Sequence, residues 1–341
     1  MEPQEHENSN HVTKNTITDA TKQITQIIKH QEKQVSDRSI GKNPYIHAAT
    51  SDNTRTAYRS DIQHFSQWGG LLPASAEIVI QYLQAFAPTL NPRTLRRRLT
   101  AIKNWHTYQG FTDPTNNPIV RKTITGITNV HGKPKDKAQA LTLEHLQQMI
   151  SYLQSNVHKN ALSILRNVAL LQVGFFGAFR RSELVAIKFD HINFVPEGVE
   201  IMIPRSKTDQ GNEGQICAIP YGDETLCPVT ALKNWCEAAD ITAGFVFRNI
   251  NKYGNMGDEA LLGRNVSLII KKIAKDCGLN NPQDFSGHSL RRGFATTASR
   301  KGAPFIAIMR HGRWRHEGTV LGYVEEGQRF EENAAKIVLS K

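Results

Sequence analysis

Hydrophobic and polar positions follow two rhythms along this chain, preceded by a stretch with neither. Residues 1–44 contain no Phe, Trp, Tyr or Leu and are rich in Gln, Thr, Asn, Lys and Glu. So little apolar surface does not offset chain entropy, and a disordered polar tail is expected. From Tyr45 a helical period sets in. Ser51, Asp52 and Asn53 can cap a helix in which Tyr58, Ile62 and Phe65 follow at i, i+4 and i+7, and Gly69 and Gly70 end it. Ser75 and Glu77 open a second helix with Val79, Tyr82, Leu83 and Phe86 on one side, and Pro88 and Pro92 interrupt the chain. A third helix over 93–108 carries Leu95, Leu99, Ile102 and Trp105 or His106 as its apolar stripe. Arg93, Arg97, Thr100 and Asn104 face the other way, with Arg96, Arg98 and Lys103 flanking. A fourth short helix begins after Pro118. This makes a helical domain over 45–130. The Gly/Pro/Lys-rich stretch 131–140 reads as a linker, and a second domain fills 141–341.

The second domain is mostly helical, with one passage in the other rhythm. Thr142 starts one helix and 160–179 is a long apolar one. Val199, Ile201 and Ile203 then alternate with polar residues, the turn-rich SKTDQGNEG follows, and 215–220 returns. That is a β-hairpin. Helices resume near Pro228, Leu261, Ser289, Pro304 and Glu326, the last a C-terminal helix over 325–341. The expected fold class is mainly α with a small β-hairpin or sheet.

Charge narrows the partner. The chain has 42 Lys+Arg against 31 Asp+Glu, a net +11, and residues 91–138 hold ten Lys/Arg against two Asp. Such an excess predicts an anionic partner: nucleic acid, an acidic membrane surface or another polyanion. Cys217, Cys227, Cys236 and Cys277 form no C-x-x-C pair, which argues against zinc ribbons and thioredoxin-like sites and fits a reducing compartment. No metal site or cofactor motif is present in the pattern. The apolar run 167–179 is 13 residues long, short of the about 20 a membrane span requires. The first ten residues lack a signal peptide's basic and apolar regions. The expectation is a cytoplasmic protein, nucleoid-associated if its source is bacterial, with no membrane partner.

Four local patterns carry candidate chemistry. Arg180 and Glu183 are three apart at the end of the apolar helix; alone, such a pair is ordinary surface salt bridging. Lys207 sits at the hairpin tip, where a lysine is usually just solvated. His288 and Arg291 are three apart at a helix start after Ser286 and Gly287, a place where backbone can approach an anion. Trp314 and Tyr323 follow, nine apart; alone they read as a buried aromatic pair. Together they suit attack on a phosphodiester by a tyrosine hydroxyl. Two arginines can fork onto the oxygens that gain charge in the transition state. His288 can take the phenol proton, Lys207 can protonate the leaving 5′-oxygen, Trp314 offers an N–H, and Glu183 orients its neighbours. Arg181, Arg292, His311 and His316 stand close enough to compete. Arg180 is preferred because it alone is three before Glu183, Arg291 because it alone is three after His288, and Trp314 by its spacing to Tyr323.

The order Arg-x-x-Glu, Lys after a strand, His-x-x-Arg, Trp, Tyr resembles the tyrosine recombinases, the phage-integrase family. Trp in place of the more usual second His is similar to its Cre-like members. The resemblance implies a helical, SAM-like core-binding domain on DNA and a mixed α/β catalytic domain. It implies catalysis by Arg180, Glu183, Lys207, His288, Arg291, Trp314 and Tyr323 through a 3′-phosphotyrosyl intermediate and a Holliday junction, without metal or ATP. It further implies double-stranded DNA as partner and a homotetramer on two sites, joined by exchange of the C-terminal helix. The basic residues Arg93, Arg96, Arg97, Lys103, Arg121 and Lys122 are the expected DNA contacts. Two other classes share parts of the pattern. A type IB topoisomerase-like nicking-closing enzyme shares the chemistry without choice of site. A non-catalytic DNA-binding accessory protein has no use for Tyr323.

Overall fold

The computed structural model describes residues 49–134, 138–156, 160–204, 214–328 and 334–339. The expected tail and Lys207 lie outside these. The chain divides into two compact units, residues 1–135 and 136–341.

Among the described residues, the first unit has four α-helices: α1 (Asp52–Trp68), α2 (Ala76–Phe86), α3 (Pro92–Tyr108) and α4 (Pro118–His131). Each starts where a side-chain oxygen meets an otherwise unpaired N–H: Ser51, Ser75, Asn91 and Asn117 are the caps. Gly69, at φ 116°, closes α1 in the left-handed conformation. Phe65, Val79, Tyr82, Leu83, Leu95, Ile102, Val120 and Ile124 form the core, each larger side chain contributing about 1.5–3 kcal/mol.

The second unit opens with α5 (Leu143–Ser155), α6 (Ala161–Phe176) and the short α7 (Arg181–Val185). A three-stranded antiparallel sheet follows, β1 (Ile192–Val195), β2 (Gly198–Ile203) and β3 (Gln215–Pro220), in the order β1-β2-β3. Ile203 faces Gln215, Ile201 faces Cys217 and Val199 faces Ile219. The alternation places Val199, Ile201 and Ile203 in the core and Met202 outside. After α8 (Pro228–Ala238) comes a second hairpin absent from the sequence reading, β4 (Arg248–Ile250) with β5 (Met256–Ala260). Met-Gly-Asp-Glu-Ala has no alternating apolar face, so its strand rests on pairing rather than pattern. Helices α9 (Gly263–Asp276), α10 (Gly287–Arg300), α11 (Phe305–Gly312), α12 (Glu317–Gln328) and α13 (Ala334–Leu339) complete the described chain.

The expected 325–341 helix requires correction. Helix α12 starts at Glu317, so Tyr323 lies within it and Glu325 and Glu326 stand in its last turn. Gly318, Gly322 and Gly327 weaken its intrinsic propensity; burial of Val320 and Tyr323 beside Ala295 and Ile308 overrides that. Helix α10 is central. Leu141 crosses it with its N–H donating to Ser289 O at 3.1 Å. Only glycine permits this at position 293, since a Cβ there would fall 1.7 Å from Leu141 O. No described helix is long and apolar enough to cross a membrane.

Candidate active site and nucleic-acid interface

Helix α6 ends in a turn in which Ala178, fully buried, takes a left-handed φ of 45°. The next residues set Arg180 at the start of α7 with Glu183 one turn on. Glu183 accepts from the Arg180 backbone N–H at 2.9 Å and from its Nη1 at 2.6 Å. Glu183 is buried, not at the surface, so this is not the ordinary exposed pair. Burial opposes its ionisation, but the Arg180 hydrogen bonds and the Arg313 and Arg180 charges outweigh that and hold the carboxyl below its ordinary value.

Ser286 caps α10, its Oγ accepting from His288 N–H at 3.2 Å. One turn on, Arg291 is 2% exposed. Its Nη1 donates to Ala178 O, its guanidinium lies 4.0 Å over the Trp314 ring, and its Nη2 is buried with no partner. Burial and the nearby Arg180 charge lower its pKa from the usual arginine value. Trp314 follows α11, and Gly312 makes room for it: a Cβ at 312 would fall 1.6 Å from the indole. Tyr323, presented by α12, has its hydroxyl 3.0 Å from His288 Nε2 and its ring 6.2 Å from Trp314. Burial raises the phenol's pKa; the Arg292 and Arg291 charges work against this.

Arg180, Arg181, Ser267, Ser286, His288, Arg291, Trp314, Arg315, His316 and Thr319 line one cleft of about 480 Å³. None of these lining residues is acidic. The structure therefore brings together Arg180, His288, Arg291, Trp314 and Tyr323, with Glu183 behind Arg180. Lys207 is outside the described residues, though the strands flanking it end at Ile203 and Gln215. The competing candidates separate. His311 turns away, its Nε2 donating to Phe176 O at 2.6 Å and its ring stacking on Phe294 at 4.6 Å. Arg181 and His316 line the cleft. Arg292 points out of it, donating to Ala138 O and pairing with Glu326, with its guanidinium 5.7 Å from the Tyr323 ring. Sequence reasoning overlooked Arg313 and Arg315; the basic density of 310–316 was the available signal.

In the first unit Arg93, Arg96, Arg97, Lys103, Arg121 and Lys122 are all exposed. Arg97 is nonetheless not an unpaired cation as its place opposite the stripe suggested. It forks onto buried Asp61 with two bonds of 2.8 Å. Arg98 is buried, donating to Tyr82 Oη at 2.9 Å and His64 Nδ1 at 2.8 Å. Lys103 lies 4.0 Å from Asp113, and Arg121 donates to Asn116.

A mostly helical unit with a small antiparallel sheet, holding a tyrosine against a histidine in a cleft of arginines, has the form of a tyrosine recombinase. Residues 139–329 match the phage integrase family. The chain is 36% identical over 326 residues to an integrase/recombinase XerD homolog of Selenomonas ruminantium, covering 92% of this chain and 94% of that protein. It is 24% identical over 274 residues to recombinase Cre of Escherichia phage P1, covering 76% and 77%. Its fold is similar to the XerH site-specific recombinase solved bound to palindromic difH substrate as a post-cleavage complex, with TM-score 0.62, 18% identity and coverage of 84% and 80%. The chain belongs to the phage integrase family.

Proposed function

We propose that this chain is a site-specific DNA recombinase that cuts and rejoins strands through a 3′-phosphotyrosyl intermediate, as a tetramer on two DNA sites. The observation that carries the reading is the Tyr323 hydroxyl 3.0 Å from His288 Nε2, beside the cleft that His288 lines together with Arg180 and Arg291.

The Tyr323 oxygen gives its proton to His288 and attacks the scissile phosphorus. The new P–O bond forms as the bond to the 5′-oxygen breaks, and Lys207 supplies that oxygen's proton. Arg180, Arg291 and the Trp314 indole N–H bind the non-bridging oxygens as they gain charge. Glu183 fixes Arg180. The 5′-hydroxyl of the exchanging strand then gives its proton to Lys207 and attacks the phosphotyrosine, restoring a phosphodiester as the P–O bond to Tyr323 breaks and His288 returns its proton to the phenolate. The phosphoester bond is conserved throughout, so no nucleotide hydrolysis is required. Exposed Arg93, Arg96, Lys103, Arg121 and Lys122 contact the DNA backbone, with Arg97 offering what its pairing to Asp61 leaves free. Val338 and Leu339 on α13 are 84% and 81% exposed, which supports docking of the C-terminal segment on a neighbouring subunit in the ring.

The test is covalent capture. A recognition duplex, selected from a random-sequence pool by binding, is nicked near the cleavage point so that the short 5′ fragment diffuses away. The wild-type chain is expected to accumulate as a denaturation-resistant DNA adduct, in EDTA as well as without it. Tyr323→Phe is expected to give none while its Kd stays within about threefold, because one hydroxyl is the nucleophile and little of the contact. An adduct formed by Tyr323→Phe refutes the nucleophile. Adducts with strand exchange on paired sites, against relaxation of any duplex, distinguish the recombinase from a nicking-closing enzyme.

A further inference from the structure

Arg313 occupies a backbone position that favours glycine. It follows α11 with φ 57° and ψ 44°, the left-handed region. A bulky residue kept there is strained, so its side chain has a use. That side chain is 7% exposed and absent from the lining of the cleft. Its Nη1 donates to His311 O at 2.8 Å, and its Nη2 to Gly177 O at 3.0 Å and Ala178 O at 3.3 Å. The same Nη2 lies 3.5 Å from Glu183 Oε2.

Two of these partners are the ones that hold the phosphate-facing arginines. Ala178 O also accepts from Arg291 Nη1. Glu183 also accepts from the Arg180 side chain and backbone. Arg180 Nη2 in turn reaches Arg313 O at 3.4 Å. Charge follows the same lines. With Arg180 alone, the buried Glu183 carboxylate would make a neutral pair. Sharing it between Arg180 and Arg313 leaves one net positive charge behind the cleft, in surroundings where charges are poorly screened.

Resting on the recombinase reading, we propose that Arg313 is a positioning residue for phosphoryl transfer: its guanidinium pins the Ala178 carbonyl and shares Glu183, so that Arg291 and Arg180 keep their geometry and Arg180 keeps its charge for the phosphate.

The test compares Arg313→Gly and Arg313→Lys in the full chain. Glycine accepts the left-handed backbone and removes only the guanidinium; lysine keeps the charge without the fork. Three readings are taken on each: half-site Kd, thermal unfolding, and single-turnover cleavage of a nicked duplex. Cleavage uses either a normal scissile phosphate or a methylphosphonate, which lacks one non-bridging anionic oxygen. For Arg313→Gly we expect Kd within about threefold and cleavage of the phosphate slowed about 10²-fold, with the methylphosphonate slowed about 10-fold or less. Arg313→Lys is expected to fall between, and carries the test if the glycine variant does not fold. Unchanged cleavage, or equal losses on the two substrates, overturns the proposal while leaving the recombinase reading intact. A wild-type chain that forms no adduct overturns both.

Discussion

Arg291→Met separates stability from catalysis. In the DNA-free protein Arg291 is 2% exposed, with one hydrogen bond to Ala178 O, a face-on contact with Trp314 at 4.0 Å, and Nη2 buried without a partner. Removing the guanidinium forfeits a charge-assisted hydrogen bond, about 1.5–3 kcal/mol. It also forfeits a desolvated cation–π contact of about 2 kcal/mol. Against this, it relieves an orphaned donor costing about 1–3 kcal/mol, and more because the group is charged. The repulsion from Arg180 and Arg313 disappears as well, offset in part by the lost attraction to Glu183. The sum lies within about 2 kcal/mol of zero, as for other buried charges replaced by apolar side chains of similar volume. On a domain of this size that moves Tm by no more than about 4–8 °C in either direction. Cleavage is a different matter. One preorganised donor to a developing anion is worth about 10²–10³ in rate, or 2.7–4 kcal/mol. The assay is a melting curve without DNA beside single-turnover adduct formation on a nicked duplex. A variant that melts normally and cleaves within about fivefold of wild type refutes the clamp. One that melts more than about 15 °C lower makes Arg291 a structural residue instead.

Lys207→Ala is expected to lose cleavage on an ordinary duplex and recover it on a 5′-bridging phosphorothiolate, since a sulfur leaving group does not need the proton; absence of recovery removes the lysine from that role. Arg93→Ala with Arg96→Ala is expected to weaken duplex binding and flatten the plot of log K against log salt by about 1.8, at about 0.9 per phosphate contact, and an unchanged slope places this face away from DNA. Arg97 is unsuitable for that test, because its loss would remove both 2.8 Å hydrogen bonds to Asp61, which is 1% exposed, and leave it only Arg98 Nε at 3.5 Å. For Glu183, the folded-state pKa lies below the ordinary 4.5, so its contribution to stability is present above that value and is lost as pH falls through the lowered one. Glu183→Gln is therefore expected to flatten the acid limb of the unfolding profile, read by circular dichroism from pH 6 down to about 2, and an unaltered limb contradicts the pairing.

Local relations were legible in the sequence. Arg180 with Glu183, and His288 with Arg291, are one helical turn apart, so spacing alone puts each pair together whatever surrounds it. The caps of α1 and α2, the stripe of α3 and the alternation of β2 depend on neighbours within a few residues. Charge identified an anionic partner because it is a sum over the chain and needs no fold. Tertiary structure decided the rest. His288 and Tyr323 are 35 positions apart, and only packing of α12 on α10 brings them within 3.0 Å. That packing also makes a helix of a glycine-rich segment whose own propensity argued for a later start. Arg97 and Arg98 read alike as surface cations, yet one is held by Asp61 and the other is buried beside Tyr82. The tertiary hydrogen bonds of Arg313 and Arg292 were invisible in the sequence because their partners, carbonyl oxygens and a carboxylate, come from segments up to 154 residues away. A carbonyl oxygen carries no mark in a sequence; it becomes a specific acceptor only when the fold buries it and turns it toward a donor.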